Sequence, residues 1–83
     1  MKLIGFERAD FKIRATGEEV TGMQLYLARS ITPDKGEGSA VERVYLTDRK
    51  LATNNFDPMS ALGKDVVLYY NRWGKIERIT LDP

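Results

Sequence analysis

The clearest chemical potential in this chain lies around Trp73, its single tryptophan. The neighbours are Asn71, Arg72, Gly74 and Lys75. A large indole in so polar a stretch is out of place in a core. An exposed indole flanked by cations is a stacking platform: its face takes a base while Arg72 and Lys75 take phosphates. Such stacking is worth about 1–3 kcal/mol per base and accepts any base. The plainer alternative is an indole folded back onto its own sheet or buried in a dimer contact.

A second group has the same character. Tyr26 lies in an alternating run in which Met23, Leu25 and Leu27 share the other face. Tyr45 and Arg43 alternate in the same way with Val44 and Leu46. If the leucines and valines form the core, both tyrosines and Arg43 point outward. Arg14 and Arg29 flank the Tyr26 segment, and Arg78 follows Ile76 near the C-terminal end. Aromatics interleaved with arginines on one sheet face form the pattern that binds single strands. The plainer reading is a solvated face with ordinary cross-strand pairs, and for Arg78 a surface pairing with Glu77 or Glu42 of little energetic value.

Other chemistries lack their residues. There is no histidine and no cysteine, which removes the usual soft metal ligands and nucleophile–base pairs. A carboxylate acid–base pair needs a concave, partly dry site, for which a domain of this size has little interior. Gly36-Glu37-Gly38 is a flexible connector, not a phosphate loop, and the acidic residues do not follow a calcium-loop spacing. The expectation is a non-enzymatic protein with no cofactor, no metal and no small-molecule substrate.

Charge must act locally. Thirteen basic and twelve acidic residues leave a net charge of +1, so binding of a polyanion depends on clustering. Acidic residues gather at Glu18-Glu19 and around Asp34 and Glu37; basic ones gather at Arg43, Arg49-Lys50 and between Arg72 and Arg78. The N-terminal apolar run is too short for a signal peptide, and no stretch approaches the ~20 apolar residues of a membrane helix. With the lack of cysteine, these features lead to the expectation of a cytoplasmic protein with no membrane partner.

The elements that must position these residues are short and extended. An 83-residue chain is read as one domain, residues 1–83. The first segment runs from Lys2 to Ile13 or Arg14; Phe11-Lys12-Ile13 alternates as a half-buried strand should, and Ala9-Asp10 marks a bulge. Ala15 to Glu18 is a turn. The second segment runs from Val20 to Ile31, with Gly22 marking a bulge or a close backbone approach. Thr32 to Ser39 is a polar hairpin arm, and Val41 to Leu46 is the third segment. Thr47 to Leu51 leaves the sheet. Asp57 caps a single helical turn opened by Pro58 and ended by Gly63. Val66 to Tyr70 and Ile76 to Leu81 form a hairpin closed by Asn71 to Gly74, with Gly74 at positive φ. Tyr69 and Tyr70 face opposite ways, and alternation alone does not say which faces the core. The predicted fold is all-β: a small five-stranded OB-like Greek-key barrel with one short helical turn, with an SH3-like barrel as the close alternative.

In layout the chain resembles the single-stranded-DNA-binding, helix-destabilising proteins of filamentous phages. The resemblance runs through a first strand ending in arginine (Phe11 to Arg14), a Gly-containing turn and long second strand (Thr16 to Ile31), a Pro-containing crossover (Asp57-Pro58 to Gly63), and a hairpin with an aromatic-Gly tip, Trp73-Gly74, and a basic last strand, Arg78. It implies a twofold homodimer from a phage or mobile element that coats single-stranded DNA, of the kind exposed in DNA replication. It also implies that Trp73 stacks on DNA across the dimer. The first hairpin turn departs from the family: it is acidic here, at Glu18-Glu19. Together these readings place nucleic-acid contacts at Arg14, Tyr26, Arg29, Arg43, Tyr45, Arg72, Trp73, Lys75 and Arg78. RNA is a possible ligand, and a protein–protein module anchored by Trp73 is the rival reading, because interface hot spots favour the same residue types.

Overall fold

The structure, a computed structural model, describes residues 1–82. Half of it is strand and about an eighth is helix. The alternation of Met23, Leu25 and Leu27 becomes the inner face of β4 (Gly22–Ser30). This strand sits between β1 (Lys2–Arg8) and β5 (Ser39–Thr47) in an antiparallel three-stranded sheet. Register puts Phe6, Leu25 and Val44 in one row and Leu3 opposite Leu27. Leu3, Leu25, Leu27 and Leu46 are fully or almost fully buried, and burial of a leucine side chain contributes about 1.5–3 kcal/mol.

A second layer covers that face. A hairpin of β6 (Val66–Tyr70) and β7 (Ile76–Leu81) contributes Val66 and Ile79 to the core. The hairpin joins the first sheet through β1: Lys2 bridges Asp65, the Leu3 N–H donates to the Lys64 carbonyl, and the Val66 N–H donates to the Met1 carbonyl. Two short helices fill the space between β5 and β6. The second, α2 (Pro58–Ala61), is the predicted turn, with the Asp57 carboxylate accepting from the Met59 N–H and Gly63 at φ +83°. The first, α1 (Asp48–Thr53), replaces the plain exit expected after Thr47. Thr47 caps it by accepting from the Lys50 N–H, Leu51 is its buried residue, and Asn55 takes a positive φ of 52° just beyond its end. Two helices therefore stand where one turn was expected, because Thr47 and Asp48 form a start signal as good as Asp57-Pro58.

Beyond Arg8 the chain bends, as Ala9-Asp10 suggested. The small hairpin of β2 (Phe11–Lys12) and β3 (Glu19–Val20) extends past the core. Phe11 and Ile13 are exposed, not half-buried as their alternation suggested, because no second layer reaches that far. The turn at 13–18 closes through hydrogen bonds between Ile13 and Glu18 and between Gly17 and Ile13. The arm at 32–38 leaves the opposite end of β4. The molecule is 47 Å long and 26 Å across its other two axes.

Gly22 is the close approach that its position in a strand implied. A Cβ there would lie 2.5 Å from the Leu46 carbonyl oxygen and 2.6 Å from the Tyr45 hydroxyl. The Tyr45 hydroxyl crosses this vacant space to donate to the Ala9 carbonyl at 2.9 Å. Asp10 accepts from the Gly22 N–H, and the Ala9 N–H donates to the Gly22 carbonyl. Arg8 pairs with Asp10 at 3.5 Å and also with Asp48. Hydrogen bonding with Thr21, followed by Arg8, holds the Asp48 carboxyl below the usual carboxylate range.

Two outcomes check this junction. Gly22→Ala should lower unfolding stability by about 2 kcal/mol or more in a denaturant titration, since the blocking atom is backbone and cannot rotate away. Asp48→Asn should be less stable than the parent at neutral pH. A depressed folded-state pKa stabilises above the ordinary value of about 3.9 and is lost as pH falls through the folded value. The two melting curves should therefore converge in acid.

Candidate nucleic-acid interface

The outer face of the three-stranded sheet carries Tyr26, Arg43 and Tyr45, as the alternation required. Tyr26 is opposite Arg43 on β5 and Gly5 on β1. The Tyr26 ring lies over Gly5, where a Cβ would meet Tyr26 Cδ2 at an ordinary contact distance of 3.8 Å. The Tyr26 hydroxyl donates to Glu7 Oε1 at 2.6 Å, and this bond pushes its pKa up from the ordinary phenol value. Tyr45 is half-buried and packs at a tilt against Phe11, with ring centroids 5.6 Å apart. Burial, then the nearby carboxylates of Asp10 and Asp48, raise its pKa. Both rings are thus anchored at their hydroxyls, which fixes their orientation before any ligand arrives.

The second cluster is the β6–β7 tip. Asn71 builds it: its side-chain oxygen accepts from the N–H groups of both Trp73 and Lys75, at 2.9 and 3.0 Å. Gly74 takes φ +76°, the left-handed region this turn requires. Trp73 is 70% exposed, with the Arg72 guanidinium 4.6 Å from its ring centroid. One indole face therefore meets a cation. Down the hairpin, Tyr69 is opposite Arg78, whose guanidinium lies 4.4 Å from the Tyr69 ring centroid. Neither Glu77 nor Glu42 pairs with Arg78.

The expected site residues do not all meet. Tyr26, Arg43 and Tyr45 share a face; Arg72, Trp73 and Lys75 share the tip. Lys75 and Tyr45 border a common groove between β5 and the hairpin. Arg78 lies instead beside Thr53, Asn54 and Glu77. Arg14 stands in the exposed 13–18 turn. Arg29 is a correction: three positions beyond Tyr26, it points to the opposite side of the sheet and pairs with Glu42 at 3.4 Å, because side chains alternate with a period of two. Among the described residues, no carboxylate pairs with Arg14, Arg43, Arg72, Lys75 or Arg78.

Sequence reading placed Phe11 in a half-buried strand without giving it a part in the site, and left Tyr69 and Tyr70 undecided. Both tyrosines are exposed, at 42% and 51%. No group of histidine, cysteine or carboxylate side chains able to hold a metal occurs among the described residues. Compared with protein-family models, curated proteins and solved structures, the chain matches none.

The Tyr26–Glu7 bond has a measurable signature. A phenol whose folded pKa is raised stabilises the protein below the ordinary value near 10, and that stabilisation is lost as pH rises through the folded value. Tyr26→Phe should remove a late-ionising tyrosine from an alkaline absorbance titration.

Proposed function

We propose that this protein is a non-enzymatic single-stranded-DNA-binding protein acting as a homodimer on an open, five-stranded OB-like framework. In that framework the bent β1–β2 and β3–β4 each count as one strand, followed by β5, the helical crossover and the β6–β7 hairpin. The observation that carries the reading is the tip: an indole 70% exposed, beside Arg72 and Lys75, on a turn pre-formed by Asn71. A monomer gains nothing in stability from displaying that surface, whereas a stacked base would cover it. Tyr26 and Tyr45 on the sheet and the unpaired Arg43 extend the track, and Arg14, Arg72, Lys75 and Arg78 supply the other phosphate contacts. Glu7 on the outer face and the acidic 18–19 turn confine the strand to the remaining surface. Exposed Ile4, Met59 and Leu62 supply apolar surface for a second copy.

Trp73 emission should be quenched by oligo-dT at low salt and recover as salt rises. With five phosphate contacts the slope of log affinity against log salt should be roughly −3.5. Trp73→Ala should weaken binding by about 1–3 kcal/mol while changing unfolding stability by no more than about 0.5 kcal/mol, as expected of an exposed side chain. Unchanged emission with several oligonucleotides at low salt would refute strand binding and favour a protein partner for Trp73. Sizing of the free protein tests the dimer.

A further inference from the structure

The gap between β5 and the β6–β7 hairpin is a groove of about 450 Å³. Among the described residues, no strand pairs with the outer edge of β5, so the groove runs along an open sheet edge. Val44, Leu46 and Ile76 make its floor apolar, and the rings of Tyr45 and Tyr70 border it. Among the described residues, the only charged ones lining it are Lys50 and Lys75, and no carboxylate does. A β-bulge at Glu77 of β7 sets Ile76, in place of Glu77, opposite Tyr70, so an apolar side chain and not a carboxylate stands beside that ring. Lys50 is held across the groove floor, its Nζ donating to the Ile76 carbonyl at 2.7 Å. That bond uses one of three ammonium donors and leaves two for an anion.

We propose that this groove seats one nucleotide unit of a bound single strand. Its base packs against Tyr70 over Val44 and Ile76, and its phosphate lies between Lys50 and Lys75. The inference rests on the single-strand reading above and adds Tyr70 and Lys50 to it. The volume falls within the ~300–1,000 Å³ of clefts that hold single small ligands. An aromatic ring, an apolar floor and two cations without a carboxylate match a flat base joined to a phosphate, and two lysines without an acid disfavour a cationic peptide. The groove also connects the two clusters: a strand leaving Trp73 enters it past Lys75 and emerges beside Tyr45.

The test uses labelled oligo-dT in fluorescence anisotropy at low salt with the parent, Tyr70→Ala and Lys75→Gln. It is joined by photocrosslinking of the parent protein to oligo-dT carrying 5-iododeoxyuridine, with the attached residues mapped by mass spectrometry. Tyr70→Ala should weaken binding between about fivefold and a hundredfold. Lys75→Gln should make the salt slope shallower by about 0.7. Crosslinks should include Tyr70. Parental affinity in Tyr70→Ala, or crosslinks confined to Trp73, Tyr26 and Tyr45, would overturn the groove site while strand binding stood. Failure of the parent protein to bind oligo-dT at low salt would overturn both. The crosslinking arm uses unaltered protein and remains decisive if a variant folds poorly.

Discussion

The absence of a side chain at Gly22 is the constraint on which the sheet's outer face depends. It lets the Tyr45 hydroxyl pass over β4 to the Ala9 carbonyl. That bond fastens β5 to the bend in the first strand, where Asp10 holds the Gly22 N–H and Arg8 reaches Asp48 at the start of α1. Four elements meet at one residue without a Cβ. The same contact limits what Tyr45 can do. Its ring is oriented by the fold and wedged against Phe11, so it offers a ligand a fixed flank and pays little ordering entropy on binding.

The framework is closed on one side and open on the other. Between β1 and β6 a short run of backbone hydrogen bonds joins the two layers. Among the described residues, there is no such run between β5 and β7. Side chains of α1 and of its C-cap meet the exposed edge of β7 instead: Lys50 donates to the Ile76 carbonyl and Asn54 accepts from the Ile79 N–H. These two contacts satisfy polar groups that an edge strand would otherwise present to other chains. The edge of β5 stays uncovered, and the proposed nucleotide groove is the space left between the two edges.

Electrostatics in a chain of net charge +1 is a matter of which charges are already engaged. Asp10 and Asp48 meet Arg8, Glu42 meets Arg29, and Glu7 accepts from Tyr26. These contacts occupy carboxylates on and beside the central sheet with nearby partners. Arg43, Arg72, Lys75 and Arg78 have no carboxylate partner among the described residues, and two of them lie over aromatic rings. The proposed strand path follows the engaged and unengaged charges, not the net value.

Alternation in β4 and β5, the capped turn at Asp57-Pro58, and the Asn71–Gly74 tip were legible in the sequence because each depends on a few adjacent residues. Thr47 before Asp48 was a helix signal of the same local kind, and α1 could have been read from it. The exposure of Trp73 followed from its polar neighbours. Tertiary structure alone decided the rest. Arg29 met Glu42 because strand register set the two side by side, whereas its turning away from Tyr26 follows from alternation. Phe11 was left outside the core because no layer covers the β2–β3 hairpin. A bulge set Ile76 and not Glu77 opposite Tyr70, and the gap beside it depends on how far two sheets stand apart. The chain by itself determined which side chains alternate and where it turns; which of them meet was decided by long-range pairing, which no local pattern encodes.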